Sequence, residues 1–460
     1  MDEQEKLELE NSTPTYGVSS ELVDFIKEAL EAGDFSRVQE IIEPLHAADV
    51  ADLITNLDSD LLEKFVTVLN KPIDPEILAH LEDQDKEKFL KLVSPDDIAE
   101  ALASLDSDDV VHVLEDLDKH ELKAILRAIP AKNRAMLEEV LNYPEGSAGR
   151  LMQREIVCVP TFWTIQEALD FIRESQELPE SFYEVYVVDT KHHPIGTVSL
   201  DMLLRNDPSS PIAEVKNTIT STIPMSMGQD EVARIFQHYG LVSAPVISPN
   251  GRIVGMITVD DIVNVIEEEV EQDIMHLAGV SESDFHEPIF QTAYARSRWL
   301  IVTLINTLIA ASVISQFQHS IEEKVALSFL MVIVAAMGGN AGMQTVTVTV
   351  RALATKELDY AHKGKSIAKE IFVACITSVV FAIILGSVAA VWLKDVYVGI
   401  VLGIALICNM LWAGFAGTSL PILVQRLGLD PAISAGPLLT TTTDVLGYAI
   451  FLGLATYLLL

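Results

Sequence analysis

The sequence predicts a multidomain membrane protein: an all-α superhelical N-terminal domain, an α/β tandem repeat, a connecting helix, and an all-α membrane domain with five transmembrane helices per chain. Three observations carry this. Charge divides the 460 residues sharply: residues 1–287 hold 59 acidic against 21 basic side chains, a net −38, and residues 288–460 hold 8 against 10, a net +2. Within the acidic part, short patterns recur at two different spacings. After it come five apolar segments, each reaching the roughly 20 residues that a bilayer-crossing helix requires.

Residues 1–18 are mostly polar and are expected to be disordered. Across residues 19–142, leucines recur at helical spacing with acids on the opposite face, the pattern of amphipathic helices. Ala48-Asp49-Val50-Ala51-Asp52-Leu53-Ile54 returns 48 positions later as Asp96-Asp97-Ile98-Ala99-Glu100-Ala101-Leu102, and each copy runs into Leu-Asp-Ser-Asp, at Leu57–Asp60 and Leu105–Asp108. Such a repeat predicts stacked helical hairpins. Asp96 and Glu100 stand i,i+4 on one helix face, mildly unfavourable unless a cation bridges them.

Tyr143-Pro144-Glu145-Gly146 ends the helical pattern. Residues 143–206 and 207–261 then carry two β-α-β-β-α units about 60 residues apart. The first holds Ile156–Pro160, a helix at Ile165–Ile172, Val185–Asp189 and Pro194–Ser199. The second holds Ile223-Pro224, a helix at Glu231–Tyr239, Ala244–Ile247 and Arg252–Thr258. The order resembles a tandem pair of cystathionine-β-synthase (CBS) domains. In that family a Ser/Thr-x-x-Asp step after the last strand can hold a nucleotide ribose. Thr258-Val259-Asp260-Asp261 fits that step, and Ser199-Leu200-Asp201-Met202 does not. A nucleotide site at Thr258 and Asp261 and a purely structural pairing both remain open at this point. His192-His193 reads as a solvated turn before Pro194. Residues 262–287 form the connecting helix and linker, dense in acids including Glu267, Glu269 and Asp273.

The apolar segments run at about Trp299–Phe317, Val325–Val350, Ile367–Trp392, Val396–Leu423 and Ile433–Leu460, within a membrane domain of residues 288–460. The second connection holds Arg351, Lys356, Lys363, Lys365 and Lys369, and the fourth holds Arg426. The first and third hold only Lys324 and Lys394. By the positive-inside rule the even connections and the N-terminus are cytoplasmic and the C-terminus is outside. MDEQEKLELE lacks the basic and apolar regions of a signal peptide.

Asp444 is the acid set within an otherwise uncharged apolar span, directly after Thr440, Thr441, Thr442 and Thr443. A charge at membrane depth costs about 2.5–3.5 kcal/mol on insertion scales, so it persists where it meets a partner or an aqueous path. Asn340 and Gln344 are i,i+4 in the second span, Asn409 lies in the fourth, and Thr440 with Thr441 precedes Asp444. These are expected to line a pathway. Gly338 and Gly342 make a small-xxx-small step that lets another backbone approach. Neutral oxygens with one carboxylate suit a hydrated hard cation, and Mg2+ gives up its waters reluctantly. One acid per chain further suggests a symmetric dimer.

Tyr143-Pro144-Glu145-Gly146-Ser147-Ala148-Gly149-Arg150-Leu151-Met152, Gly339-Asn340-x-Gly342-x-Gln344, Arg351-Ala352-Leu353-Ala354-Thr355 and Pro437 leading to Asp444-Val445-x-Gly447 together resemble the MgtE family of magnesium channels over nearly the whole chain. The resemblance implies a homodimer in the bacterial inner membrane with Asp444 as the pore acid. It implies closure by intracellular Mg2+ bound among acidic domains, here Asp96, Glu100, Asp230, Asp261, Glu267, Glu269 and Asp273, with ATP as a regulator in some members. Gly228, Gly240 and Asn264 stand where family acids would be expected.

Two other readings compete: an ion-coupled carrier of Mg2+ or Co2+, and a membrane-anchored nucleotide sensor that transports nothing. The acidic balance opposes nucleic-acid binding. Cys158, Cys375 and Cys408 form neither a disulfide framework nor a zinc site, and the chain has no constellation that would make it an enzyme.

Overall fold

The structure, a computed structural model, describes residues 17–69, 73–81, 83–115, 117, 119–175, 178–179, 182–278, 280, 289–354 and 363–460. Most of the expected disordered N-terminus, the linker through Pro288, and Thr355 with Lys356 therefore lie outside the described residues. The chain forms two compact units, residues 1–268 and 269–460.

In the first unit, ten helices among the described residues run from Ser20–Ala32 to Ala131–Leu141. Ser19, Asp34, Asp74 and Ser94 accept hydrogen bonds from first-turn amides of four of them, a capping interaction worth about 0.5–2 kcal/mol each. The repeat appears as two helix pairs, Ala47–Thr55 with Ser59–Val68 and Pro95–Leu102 with Ser107–Glu115. Their apolar faces share one core around Leu30, Leu53, Phe65, Phe89, Val113 and Leu114, all fully buried.

Two small sheets follow: β1 (Cys158–Pro160), β2 (Glu184–Val188) and β3 (Pro194–Ser199), then β4 (Ile223–Pro224), β5 (Ser243–Ile247) and β6 (Ile253–Thr258). In each, the first strand pairs parallel and the third antiparallel to the middle one. Both middle strands also shift register one residue before their ends, at Val187/Val188 and Val246/Ile247, so the duplication extends to an irregularity. The helix Ile165–Glu174 begins with a Thr164–Glu167 capping box. The helix Gln229–Tyr239 ends at Gly240 with φ +61°. An acid there would occupy the left-handed region at a steric cost, which accounts for glycine at this position.

The expected turn at His192-His193 is present, with His192 exposed at φ +68°, but His193 turns inward to a seam between the two copies. His193 Nδ1 lies 3.0 Å from Asp189 Oδ2, and Nε2 lies 3.2 Å from the Asn250 carbonyl. The backbone amide of His193 and the imidazole beside it hold the Asp189 carboxyl down at about 2. Tyr186, fully buried, meets Ser243 across the same seam at 2.8 Å.

The connecting helix starts earlier than expected. It runs Val259–Ala278 without a break after β6, so Asp260 and Asp261 occupy its first turn, where the helix dipole favours acids.

In the second unit the spans are Ile289–Gln316, Ala326–Ala354, Lys363–Leu393, Val396–Arg426 and Pro431–Leu459, with a short helix Gln318–Glu323 after the first. The fourth is the most buried and the first the least. Leu327, Val334, Leu402, Leu406, Phe451 and Leu452 form the core where the second, fourth and fifth meet. Lys324 and Asp395 pair at 2.7 Å, joining the first and third connections as alternate crossings require. Asp395 also accepts from the Tyr397 and Val398 amides, capping the fourth span, and these bonds with Lys324 hold its carboxyl below the usual range.

Candidate ion pathway and sensing site

The last span is built to present oxygen. Asp430 caps it through the Ala432 amide at 2.7 Å, with Pro431 in the first turn. Pro437, inside the helix, has no amide proton to give to the carbonyl one turn back. All four threonine hydroxyls donate into their own helix: Thr441 to Pro437 O at 2.7 Å, Thr442 and Thr443 to Leu439 O at 3.0 Å, and Thr440 to Pro437 O at 3.1 Å. Asn306 of the first span donates to the same Pro437 carbonyl at 3.3 Å. Asp444 follows, partly buried. Among the described residues its carboxylate has no hydrogen-bond or ion-pair partner, so an acid tied to a neighbouring helix is not what is found.

Asn340 and Gln344 are exposed on the second span. Asn409 departs from expectation. It is fully buried, donating to the Val334 carbonyl at 2.9 Å, and lines no open face of the chain. An amide within an apolar span looks the same in sequence whether it faces water or a neighbouring backbone. The small-xxx-small glycines serve side-chain packing as well as the expected backbone approach. A Cβ on Gly338 would lie 2.2 Å from Asn409 Nδ2, and one on Gly342 would lie 2.7 Å from the Leu439 side chain. Both admit side chains. Gly342 also meets the fourth-span backbone, because a Cβ on Gly417 would lie 2.9 Å from the Gly342 carbonyl, and the third and fourth spans approach as closely where a Cβ on Gly399 would lie 2.4 Å from the Gly386 carbonyl.

The connecting helix reaches the foot of the last span, because His276 Nδ1 lies 3.1 Å from Asp430 Oδ2. Neither residue of this pair stands out in the sequence by spacing.

Among the cytosolic acids, the expected grouping is partly regrouped. Asp96 and Glu100 are exposed on Pro95–Leu102, and Asp230 is taken by Arg234 at 2.5 Å. Asp261 instead faces the Ser107–Glu115 helix. Burial, then the Asp261 and Asp109 charges, hold the Asp108 carboxyl well above the usual range. Burial raises Asp109 too, with Asp260 adding and His112 opposing. Burial pushes Asp261 up to about 7, against the Thr258 hydroxyl that donates to it at 2.8 Å. Burial and like charges thus oppose ionisation of Asp108, Asp109 and Asp261, and the Asp260 charge acts on two of them.

Their helix is fastened at both ends. Ser107 donates through its amide (3.1 Å) and hydroxyl (2.8 Å) to Glu155, and Arg150 donates to Glu115 at 3.2 Å and to the Leu141 carbonyl at 2.7 Å. Asp108 closes the second Leu-Asp-Ser-Asp copy, and that repeat was the available sequence signal for it. Glu267 is exposed, Glu269 is partly buried, and the Asp273 side chain lies outside the described ones. Among the described residues no three His, Cys, Asp or Glu side chains converge as ligands to a dehydrated metal would.

Five apolar helices long enough to cross a membrane, an acid within the last that is unpartnered among the described residues, and their attachment to a paired α/β module and an acidic helical domain define a multi-pass membrane transporter for divalent cations. Family models match in the same order: an MgtE intracellular N domain at residues 45–146, CBS domains at 148–209 and 211–268, and the MgtE divalent cation transporter domain at 331–454. The chain is 32% identical over 453 residues to the magnesium transporter MgtE of Thermus thermophilus, covering 94% of this chain and 98% of that protein. It is 32% identical over 320 residues to the magnesium transporter MgtE of Enterococcus faecalis, covering 70% and 71%. The chain belongs to the MgtE family. A crystal structure of the cytosolic domain of the Mg2+ channel MgtE in complex with ATP aligns with a TM-score of 0.49 at 32% identity, over 53% of this chain and 99% of that one.

Proposed function

We propose that this chain forms a homodimeric, Mg2+-selective channel that admits hydrated magnesium to the cell and is closed by intracellular Mg2+. The observation that carries the reading is Asp444, a carboxylate inside an apolar span with no protein partner among the described residues, set beside four threonines. Burying such a group is costly unless a cation or water meets it. In a symmetric dimer two Asp444 side chains face one axis, giving two charges to an ion that keeps its waters. The N-terminal domains and the even connections lie in the cytoplasm and the C-terminus outside.

Closure works through charge. Asp108 and Asp109 oppose Asp260 and Asp261, and Mg2+ held there through water cancels the repulsion, while Glu267, Glu269 and Asp273 collect further ions along the connecting helix. That helix is continuous from Asp260 to His276, and His276 meets the cap of the span that bears Asp444. ATP acts as a regulator at Thr258 and Asp261, where the ribose competes with the intramolecular Thr258–Asp261 bond.

Mg2+ uptake into proteoliposomes tests the pathway. Asp444→Ala should abolish uptake while the protein stays folded, and Asp444→Asn, which keeps the shape without the charge, should conduct poorly. Near-normal uptake in both variants removes Asp444 as the ion site. Unitary current steps separate a channel from an ion-coupled carrier.

A further inference from the structure

Asn409 is the point at which three spans meet. Its Nδ2 donates to Val334 O of the second span at 2.9 Å. A Cβ on Gly338 of the second span would lie 2.2 Å from that nitrogen, and one on Gly447 of the last span 2.8 Å from it. The amide therefore fills two notches, one on each neighbouring span. Its Oδ1 is buried with no hydrogen-bond partner. An unpaired buried oxygen lowers stability, so an apolar side chain of the same size would pack better, and the amide points to a role other than packing.

The contacts also fix direction. Gly338 and Gly447 share Asn409, whereas Gly342 meets Leu439. As numbering rises along the second span it falls along the last, so the two run antiparallel. Asn340 lies two residues beyond Gly338, and Asp444 lies three residues before Gly447. At about 1.5 Å per residue these offsets are about 3 Å and about 4.5 Å along the helix axes. Because the spans oppose each other, both offsets run toward the face that carries the second and fourth connections. Taking Gly338 level with Gly447 puts Asn340 and Asp444 about 1.5 Å apart in height, and taking Gly342 level with Leu439 puts them about 4.5 Å apart, a span that one hydrated divalent cation bridges.

We propose that Asn409 is a positioning residue for the ion pathway: by keying the second span to the last, it holds the Asn340 amide level with the Asp444 carboxylate, so that one hydrated divalent cation meets both through its water shell. The proposal rests on Asp444 being the acid of the pathway.

The test uses the full chain in proteoliposomes, with external Mg2+ varied to separate half-saturation from maximal uptake. Asn409→Leu keeps the forked shape, sets two larger methyls where the amide lay, and loses the bond to Val334. It should raise the half-saturating Mg2+ concentration at least fivefold. Wild-type half-saturation in that variant overturns the proposal, since a packing residue would move stability alone. Should Asn409→Leu fail to assemble, the notch decides. Gly447→Ala places a methyl against the amide and should raise half-saturation similarly. Asn409→Ala with Gly447→Ala should then lose no more than the worse single variant, because both act at one contact. Independent, additive losses overturn the keying. Asp444→Ala, run in parallel, separates the two levels. If it transports normally, the pathway reading and the keying fall together. If it is silent while the Asn409 variants match wild type, only the keying falls.

Discussion

Replacing Asp261 by Asn should stabilise the cytosolic unit above neutral pH, and by an amount the structure sets. Burial and the neighbouring acids hold Asp261 up to about 7, against about 3.9 for a free side chain. A carboxyl whose folded value is raised keeps its proton where the unfolded chain has lost it. Its contribution is therefore greatest below about pH 4, falls as pH rises toward 7, and is flat beyond. Three units correspond to a ceiling of about 4 kcal/mol, and partial exposure reduces this to ~2–4 kcal/mol. Asn cannot ionise, so Asp261→Asn should exceed wild type by roughly 5–15 °C in melting temperature at pH 8 without Mg2+, and match it near pH 4. Mg2+ does the proton's work at high pH, so wild type should gain more from millimolar Mg2+ than the variant. Thermal unfolding of the detergent-solubilised full chain across pH, with and without Mg2+, reads both effects. If the variant is no more stable than wild type at pH 8, or gains equally from Mg2+, the four-acid repulsion is not what Mg2+ relieves.

Three further outcomes follow from the same geometry. His276→Ala breaks the 3.1 Å contact with Asp430 and should raise the Mg2+ concentration that inhibits current severalfold, with Asp430→Asn acting alike; unchanged inhibition by patch clamp would uncouple the connecting helix from the last span. Calorimetry should register adenine nucleotide binding that disappears in Thr258→Val and Asp261→Ala, and silence from wild type at millimolar ATP disposes of the nucleotide role. Phe65→Ala, which empties a fully buried site in the helical repeat, should cost about 3–5 kcal/mol in unfolding experiments while leaving ion selectivity unchanged.

Periodicity made the architecture legible. The 48-residue recurrence gave the paired helices, the strand–helix order gave the doubled sheets, and segment length gave five spans, because each of these depends on local pattern and burial. Partner choice was not legible to the same degree. Asp96 and Glu100 share a helix face with each other, but which face meets the CBS pair depends on how the hairpins stack, and stacking turned Asp108 and Asp109 toward Asp261 instead. Asp230 is the exception, since its partner Arg234 stands four residues on, an i,i+4 spacing that the sequence itself carries. The same limit applies to Asn409, whose role depends on two glycines, 71 positions before it and 38 after it in the chain. The start of the connecting helix was missed for a local reason: Ile257, Thr258 and Val259 are β-branched and read as strand, yet the helix takes over at Val259.

The threonine run has a consequence for sign selection. Every hydroxyl proton from Thr440 to Thr443 is spent on a carbonyl of its own helix, leaving oxygens that receive hydrogen bonds and give none. Water around a cation turns its protons outward, whereas water around an anion turns its oxygens outward. A pathway walled by Thr440, Thr441 and Thr442, with Thr443 fully buried behind them, would welcome the first kind of shell and offer nothing to the second. On the pathway proposed above, discrimination by hydrogen-bond polarity would begin at Thr440 and Thr441, one turn before the ion reaches the field of Asp444.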